Sequence, residues 1–170
     1  GVGISAIQGA RVAGASEIVA VDLVDSKLED AQRFGATHAV KPDELDSVRH
    51  SVTGGDGFDY AFEAIGLPQT MRSAYDTIRR GGTACIIGVG GLDKTISFNA
   101  FELFFDEKTI KGSYYGSADV RSDFARMLNL WKHGRLDLEG MVTKKIAIDD
   151  VNEAVADLKA GTVIRSVITF

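Results

Sequence analysis

Residues 1–22 read GVGISAIQGARVAGASEIVAVD, and the succession of textures inside this stretch decides the fold. Gly1-Val2-Gly3 is a glycine turn, and residues 4–14 follow with a small-residue stripe at Ala6, Ala10 and Ala13. Small side chains on one face let a helix lie close on a sheet. The mainly apolar run EIVAVD at 17–22 then reads as a buried strand that ends in a carboxylate. Turn, helix, strand and acid together make the back half of a dinucleotide-binding unit. In such a unit the amides and positive dipole end of the helix meet a diphosphate. Gly1 and Gly3 admit backbone to the ligand and to a neighbouring strand, and the acid accepts both ribose hydroxyls. Asp22 lies 19 residues past Gly3, and its carboxylate would repel a 2′-phosphate, so NAD is favoured over NADP. Lys27 reaches the adenine ribose from the next helix. The same residues carry a plainer reading, with Gly3 a tight packing glycine and Asp22 a cap for the helix that starts at Ser26.

Working outward, short apolar runs alternate with segments of helical period. Strands are expected at 37–40, 58–64, 83–89, 95–98 and 108–114. Helices are expected at 26–34, through Leu45, Val48 and Val52, from Pro68 through Met71, Ala74, Tyr75 and Ile78, and at 100–105. This alternation predicts an α/β fold, a doubly wound parallel sheet of the Rossmann kind whose first strand is not in the sequence. Two segments are expected. Residues 1–116 form a dinucleotide-binding domain, incomplete at its start. Residues 117–170 carry a helix capped by Asp119, a strand at 142–147, a helix through Val151, Ala154, Val155 and Leu158, and a strand at 164–170.

Glu63-Ala64-Ile65-Gly66 and Gly88-Val89-Gly90-Gly91 each end a strand. These loops either expose main-chain groups to a flat ring and its amide or are ordinary turns. Glu63 is the one carboxylate besides Asp22 near the expected cleft. The strand is expected to turn it outward or into a structural bond, so it is not a general base.

The 170 residues are 45% hydrophobic and carry a net charge of −5 from 24 acidic and 19 basic side chains. The charges are interspersed, which argues against nucleic acid or an anionic membrane as partner, since both need a clustered basic face. Cys85 is the single cysteine, so no internal disulfide and no thiolate zinc site forms, and it reads as a small core residue. His38, His50 and His133 lack metal-ligand spacing. No apolar run approaches the ~20 residues of a membrane span, and a cytoplasmic setting is the default.

Gly1-Val2-Gly3, the strand ending in Asp22 with Lys27, FGATH at 34–38, FEAIG at 62–66, Lys111-Gly112-Ser113 and IRSVITF at 164–170 resemble the medium-chain, zinc-type alcohol dehydrogenases. The resemblance covers essentially the whole chain in order. It implies hydride transfer between a small alcohol or aldehyde adduct and NAD, with zinc holding the alkoxide in the full-length enzyme. It implies that Asp22 binds the adenosine ribose with Lys27 beside it, and that the glycine turn carries the diphosphate. Arg165 then approaches the diphosphate from the last strand, and Ile65, Gly66, Val89 and Tyr115 line the nicotinamide pocket. It also implies that residues 117–170 pack back onto a catalytic domain, and that the protein is a homo-oligomer, with the edge around 95–98 and 108–114 pairing across a dimer.

The family's zinc ligands and proton relay precede the position of Gly1, so the chain itself holds no catalytic and no metal residue. The expectation is a fragment, or a reading frame cut at its start, that is inactive and poorly stable alone because two strands keep unpaired edges around an apolar trench. Three alternatives stand beside this reading. One is the cofactor domain of a zinc-independent quinone or enoyl reductase, against which Asp22 argues. The second is a non-catalytic nucleotide-binding or dimerisation module. The third is a methyltransferase, whose antiparallel finish the tail does not fit.

Overall fold

The computed structural model describes residues 1–170. Its elements run α1 (Val2–Ala13), β1 (Val19–Val21), α2 (Asp25–Arg33), β2 (His38–Val40), α3 (Leu45–Thr53), β3 (Phe58–Glu63), α4 (Pro68–Thr77) and β4 (Ile78–Ile86). Then come α5 (Ala100–Phe105), β5 (Thr109–Gly112), α6 (Val120–Lys132), β6 (Lys144–Ile146), α7 (Val151–Ala160) and β7 (Ser166–Ile168). All strand pairs are parallel: β1 with β2, β3 with β4, β4 with β5, and β6 with β7. The sheet is divided, because β1 bonds only β2 while β3, β4 and β5 form a separate group. The expected unpaired edges are therefore present on β1 and β3. Helix α1 touches both halves, against α2 on one side and β3 on the other.

Local chemistry accounts for most boundaries. Pro68 opens α4, Asn99 caps α5 by accepting from the Phe101 and Glu102 amides, and Asp119 caps α6 at the Arg121 amide. Gly14, Gly54 and Gly161 close α1, α3 and α7 in the left-handed region.

Two strand expectations need correction. β4 begins at Ile78 rather than Thr83. Regular pairing with β3 resumes at Tyr60 opposite Thr83, so Gly81-Gly82 form a bulge inside the strand instead of a turn before it. The same strand ends at Ile86, which leaves Val89 in the loop beyond. Residues 95–98 form no strand. Phe98 instead packs edge-on to Tyr75 with ring centroids 4.9 Å apart, and Arg72 reaches the Ser97 carbonyl, so side-chain anchorage to α4 replaces sheet pairing. β5 is therefore the outer strand.

The core lies in small clusters. Ala74, Tyr75, Ile78 and Ala84 pack with Ala61 and Phe98 under β3 and β4. Ile18, Ala31 and Ala36 pack with Ile4, Ile7 and Ala10 between α1, α2 and β1. Phe34, Met141 and Ile164 join Ile4 to residues of the C-terminal segment. Gln8 fastens that segment further: fully buried, it donates to the Asp137 carbonyl at 3.0 Å and accepts from the Asp137 amide at 2.7 Å. Phe101, Phe104, Phe105, Phe124 and Leu128 remain exposed, so neither the phenylalanines of α5 nor the stripe of α6 enters the core.

Candidate functional site

In parallel α/β sheets ligands meet the carboxyl ends of the strands, and five of the sequence-predicted positions, Gly1, Val2, Gly3, Lys27 and Arg165, sit around the start of α1. No side chain caps α1 and its first turn holds no acid, so its leading amides are not taken by the chain's own side chains. Arg165 precedes β7. Its backbone is pinned by the Thr143 hydroxyl, which accepts from the Arg165 amide at 3.1 Å and donates to the Arg165 carbonyl at 3.2 Å. Gly1 lies against this segment, since a Cβ on it would be 3.3 Å from the Ile164 carbonyl oxygen. The amino group of Gly1 is held below its ordinary value, by partial burial first and then by the nearby charges of Arg165 and Lys27. Arg165 and Lys27 thus bear on the amino end of α1, with the Asp30 carboxylate opposing them.

Lys27 has a second neighbour. Its Nζ would stand 3.1 Å from a Cβ on Gly161, the residue closing α7, where a cation meets the negative end of the helix dipole. Val2 is exposed, and Gly3 has nothing within 4 Å of where its Cβ would be. Tight packing therefore does not account for the glycine at position 3.

Asp22 follows β1, its amide donating to the Val40 carbonyl. One carboxylate oxygen accepts the Val24 amide at 3.0 Å. Val24, and not Asp22, is the residue that precedes α2, and no side chain caps that helix. The capping reading of Asp22 gives way to a two-residue turn that holds the carboxylate at the strand's end.

The loops after β3 and β4 meet backbone to backbone. A Cβ on Gly66 (φ +94°) would run into the Val89 carbonyl, with the Val89 carbonyl carbon 2.7 Å away. A Cβ on Gly88 would strike the Gly66 amide and lie 2.5 Å from Glu63 Oε2. Either side chain would wedge the loops apart, which is what glycine supplies here. Ile65 and Val89 flank the contact with 63% and 91% of their surfaces exposed, forming an apolar shelf. Tyr115 follows β5 at the same carboxyl edge of the sheet, exposed and at φ +53°, an unusual conformation for an aromatic residue. Ile65, Gly66 and Val89 are thus brought together, with Tyr115 on the same edge, whereas Asp22 stands at the end of β1 and Arg165 beside Gly1 at the β6–β7 pair.

Glu63 is the residue whose part the sequence only hinted at. It is buried, and its Oε1 accepts from the Ile65 amide (2.9 Å), the Gly66 amide (2.8 Å) and the Thr70 hydroxyl (2.6 Å). The expectation of a structural bond in place of base chemistry describes this arrangement. The reciprocal Gln8–Asp137 pair had no signal in the sequence, where Gln8 interrupts an alanine stripe.

No three His, Cys, Asp or Glu side chains gather where a metal ion would be held, so zinc does not fit any donor set of this chain. The cofactor expectation fits better: an open helix terminus beside two cations, a carboxylate at a strand end, and a glycine-lined shelf. Cys85 is half-buried within β4. No helix is long and apolar enough to cross a membrane.

Comparison with known proteins shows the family of the chain. A family model described as zinc-binding dehydrogenase matches residues 1–133. The NDMA-dependent alcohol dehydrogenase of Amycolatopsis methanolica is 38% identical over 172 residues, covering 99% of this chain and 46% of that protein. The class-3 alcohol dehydrogenase of Caenorhabditis elegans is 36% identical over 99% of this chain and 46% of its own length. Among solved structures, benzyl alcohol dehydrogenase from Acinetobacter calcoaceticus superposes with a TM-score of 0.92 at 30% identity, over 98% of this chain and 46% of that one. The chain spans about half the length of the curated relatives it matches. By the match over residues 1–133, the chain belongs to the zinc-binding dehydrogenase family.

Proposed function

We propose that this chain is the NAD-binding part of a zinc-type alcohol dehydrogenase, transferring a hydride between a small alcohol or aldehyde adduct and NAD. The observation that carries the reading is the uncapped start of α1, with the Ile164–Arg165 backbone against Gly1, together with Asp22 held at the end of β1. A diphosphate fits the first feature and ribose hydroxyls fit the second. Bound NAD would supply the hydride acceptor. The chain's own residues bind and orient: Gly1, Val2, Gly3 and Arg165 at the diphosphate, Asp22 and Lys27 at the adenosine ribose, and Ile65, Gly66, Val89 and Tyr115 around the nicotinamide. Zinc and the groups that handle the substrate's proton belong, on this reading, to a catalytic domain outside these 170 residues. Residues 117–170 return to that domain, and a cytoplasmic homo-oligomer is the expected setting. The exposed strand β5 and the exposed Phe101 and Phe104 of α5 favour the dimer edge as part of the same proposal.

Titration of the purified chain with NADH, followed by nicotinamide fluorescence, tests the proposal. Saturable binding is expected, weakened about tenfold by Asp22→Ala, the scale of one charge-assisted hydrogen-bond set. NADPH should bind more weakly than NADH. Tighter binding of NADPH would favour the quinone or enoyl reductase reading, and no binding by a folded chain would remove the cofactor assignment.

A further inference from the structure

Glu63 joins two loops, one through its carboxylate and the other through its main-chain carbonyl. Its carboxylate Oε1 gathers the Ile65 and Gly66 amides and the Thr70 hydroxyl, fixing the loop after β3 and the start of α4. Its main-chain carbonyl accepts the Ile87 and Gly88 amides at 2.8 and 3.0 Å, fixing the loop after β4. The second carboxylate oxygen, Oε2, is buried with no hydrogen-bond partner and fills the space where a Cβ on Gly88 would stand. A buried acceptor without a donor costs stability. An apolar residue of similar size would fill the same space without that cost, but it would release three donors.

We infer that Glu63 is a positioning residue, which sets the register between the Ile65–Gly66 loop and the Gly88–Val89 loop so that one flat ring finds both. The inference rests on the nicotinamide reading of those loops. It requires no proton transfer by Glu63. Oε1 is saturated with donors and Oε2 is out of reach of solvent, so the carboxylate acts only through the backbone it holds. Removing the side chain leaves the adenosine end of the site, at Asp22 after β1 and Arg165 before β7, as it was.

The experiment compares NADH with ADP-ribose, which lacks the nicotinamide ring, as ligands of the full chain by calorimetric titration. Glu63→Ala should weaken NADH about tenfold, the loss of one or two hydrogen bonds' worth of ordering, and leave ADP-ribose within about twofold. Glu63→Gln keeps an acceptor at Oε1 and should recover most of the NADH affinity. Equal loss of both ligands would overturn the inference, since it would mark a general structural role, and so would equal retention of both. If Glu63→Ala does not fold, Thr70→Val, which removes one of the three donors, should produce the same split in smaller measure. Failure of the wild type to bind either ligand would defeat the cofactor reading by itself. Positioning is then decided by amide exchange. Faster exchange at Ile65, Gly66 and Gly88 together in the variant upholds coupled loops, and faster exchange at Ile65 and Gly66 alone overturns it.

Discussion

At the scale of single residues, Gly3 and Gly66 separate what a glycine does for a ligand from what it does for the fold. Gly66 is needed by the protein itself, with a positive φ and a neighbouring carbonyl where a methyl group would stand. Gly66→Ala should cost about 2–4 kcal/mol in urea unfolding, by backbone strain and displacement of the Val89 loop. Gly3 stands at the second position of α1 with open space before it. There Gly3→Ala should leave stability unchanged or raise it by roughly 0.5 kcal/mol through helix propensity. On the cofactor reading the same substitution weakens NADH binding, because the methyl group fills the approach to the helix amides. A loss of stability without a change in binding would assign Gly3 to packing.

Between elements, the junction of α1 with the C-terminal segment depends on polar contacts more than on area. Gln8 pairs with both main-chain groups of Asp137, Arg11 donates to the Arg135 carbonyl, and Arg135 donates back to the Val12 carbonyl. Gln8→Ala removes both bonds to the Asp137 main chain, an expected cost of about 1–3 kcal/mol. The loss should be local. Limited proteolysis should open the stretch around 134–141 while β3, β4 and β5 stay protected, and uniform loss of protection would contradict a localised junction. Arg165 sits in the segment this junction secures, so the same variant should also weaken NADH binding modestly.

For the molecule as a whole, the divided sheet predicts divided stability. Only 20 of 170 residues are buried, and the cluster around Tyr75 shares no member with those around Ile18 and Phe34. Total stability below about 5 kcal/mol is expected, at the lower end for a domain. Hydrogen exchange should show the β3–β4–β5 group opening independently of α1, α2 and β1. Coincident loss of protection in both groups would show that α1 couples them. The alternation of elements, the capped and glycine-closed helices and the parallel sheet class were legible in the sequence, because 3.6- and 2-residue periods and local caps are written in near neighbours. The carboxylate at the end of β1 and the two strand-end glycine loops were legible for the same reason, whereas Val2 and Gly3, read as part of a turn, lie in the first turn of α1. The sequence could not announce that residues 95–98 leave the sheet for Tyr75, that Gly81-Gly82 bulge inside β4, that Lys27 rests on the end of α7, or that Glu63 joins two loops. Each of those depends on which distant groups compete for the same space and the same hydrogen bonds, and only the packed chain decides that competition.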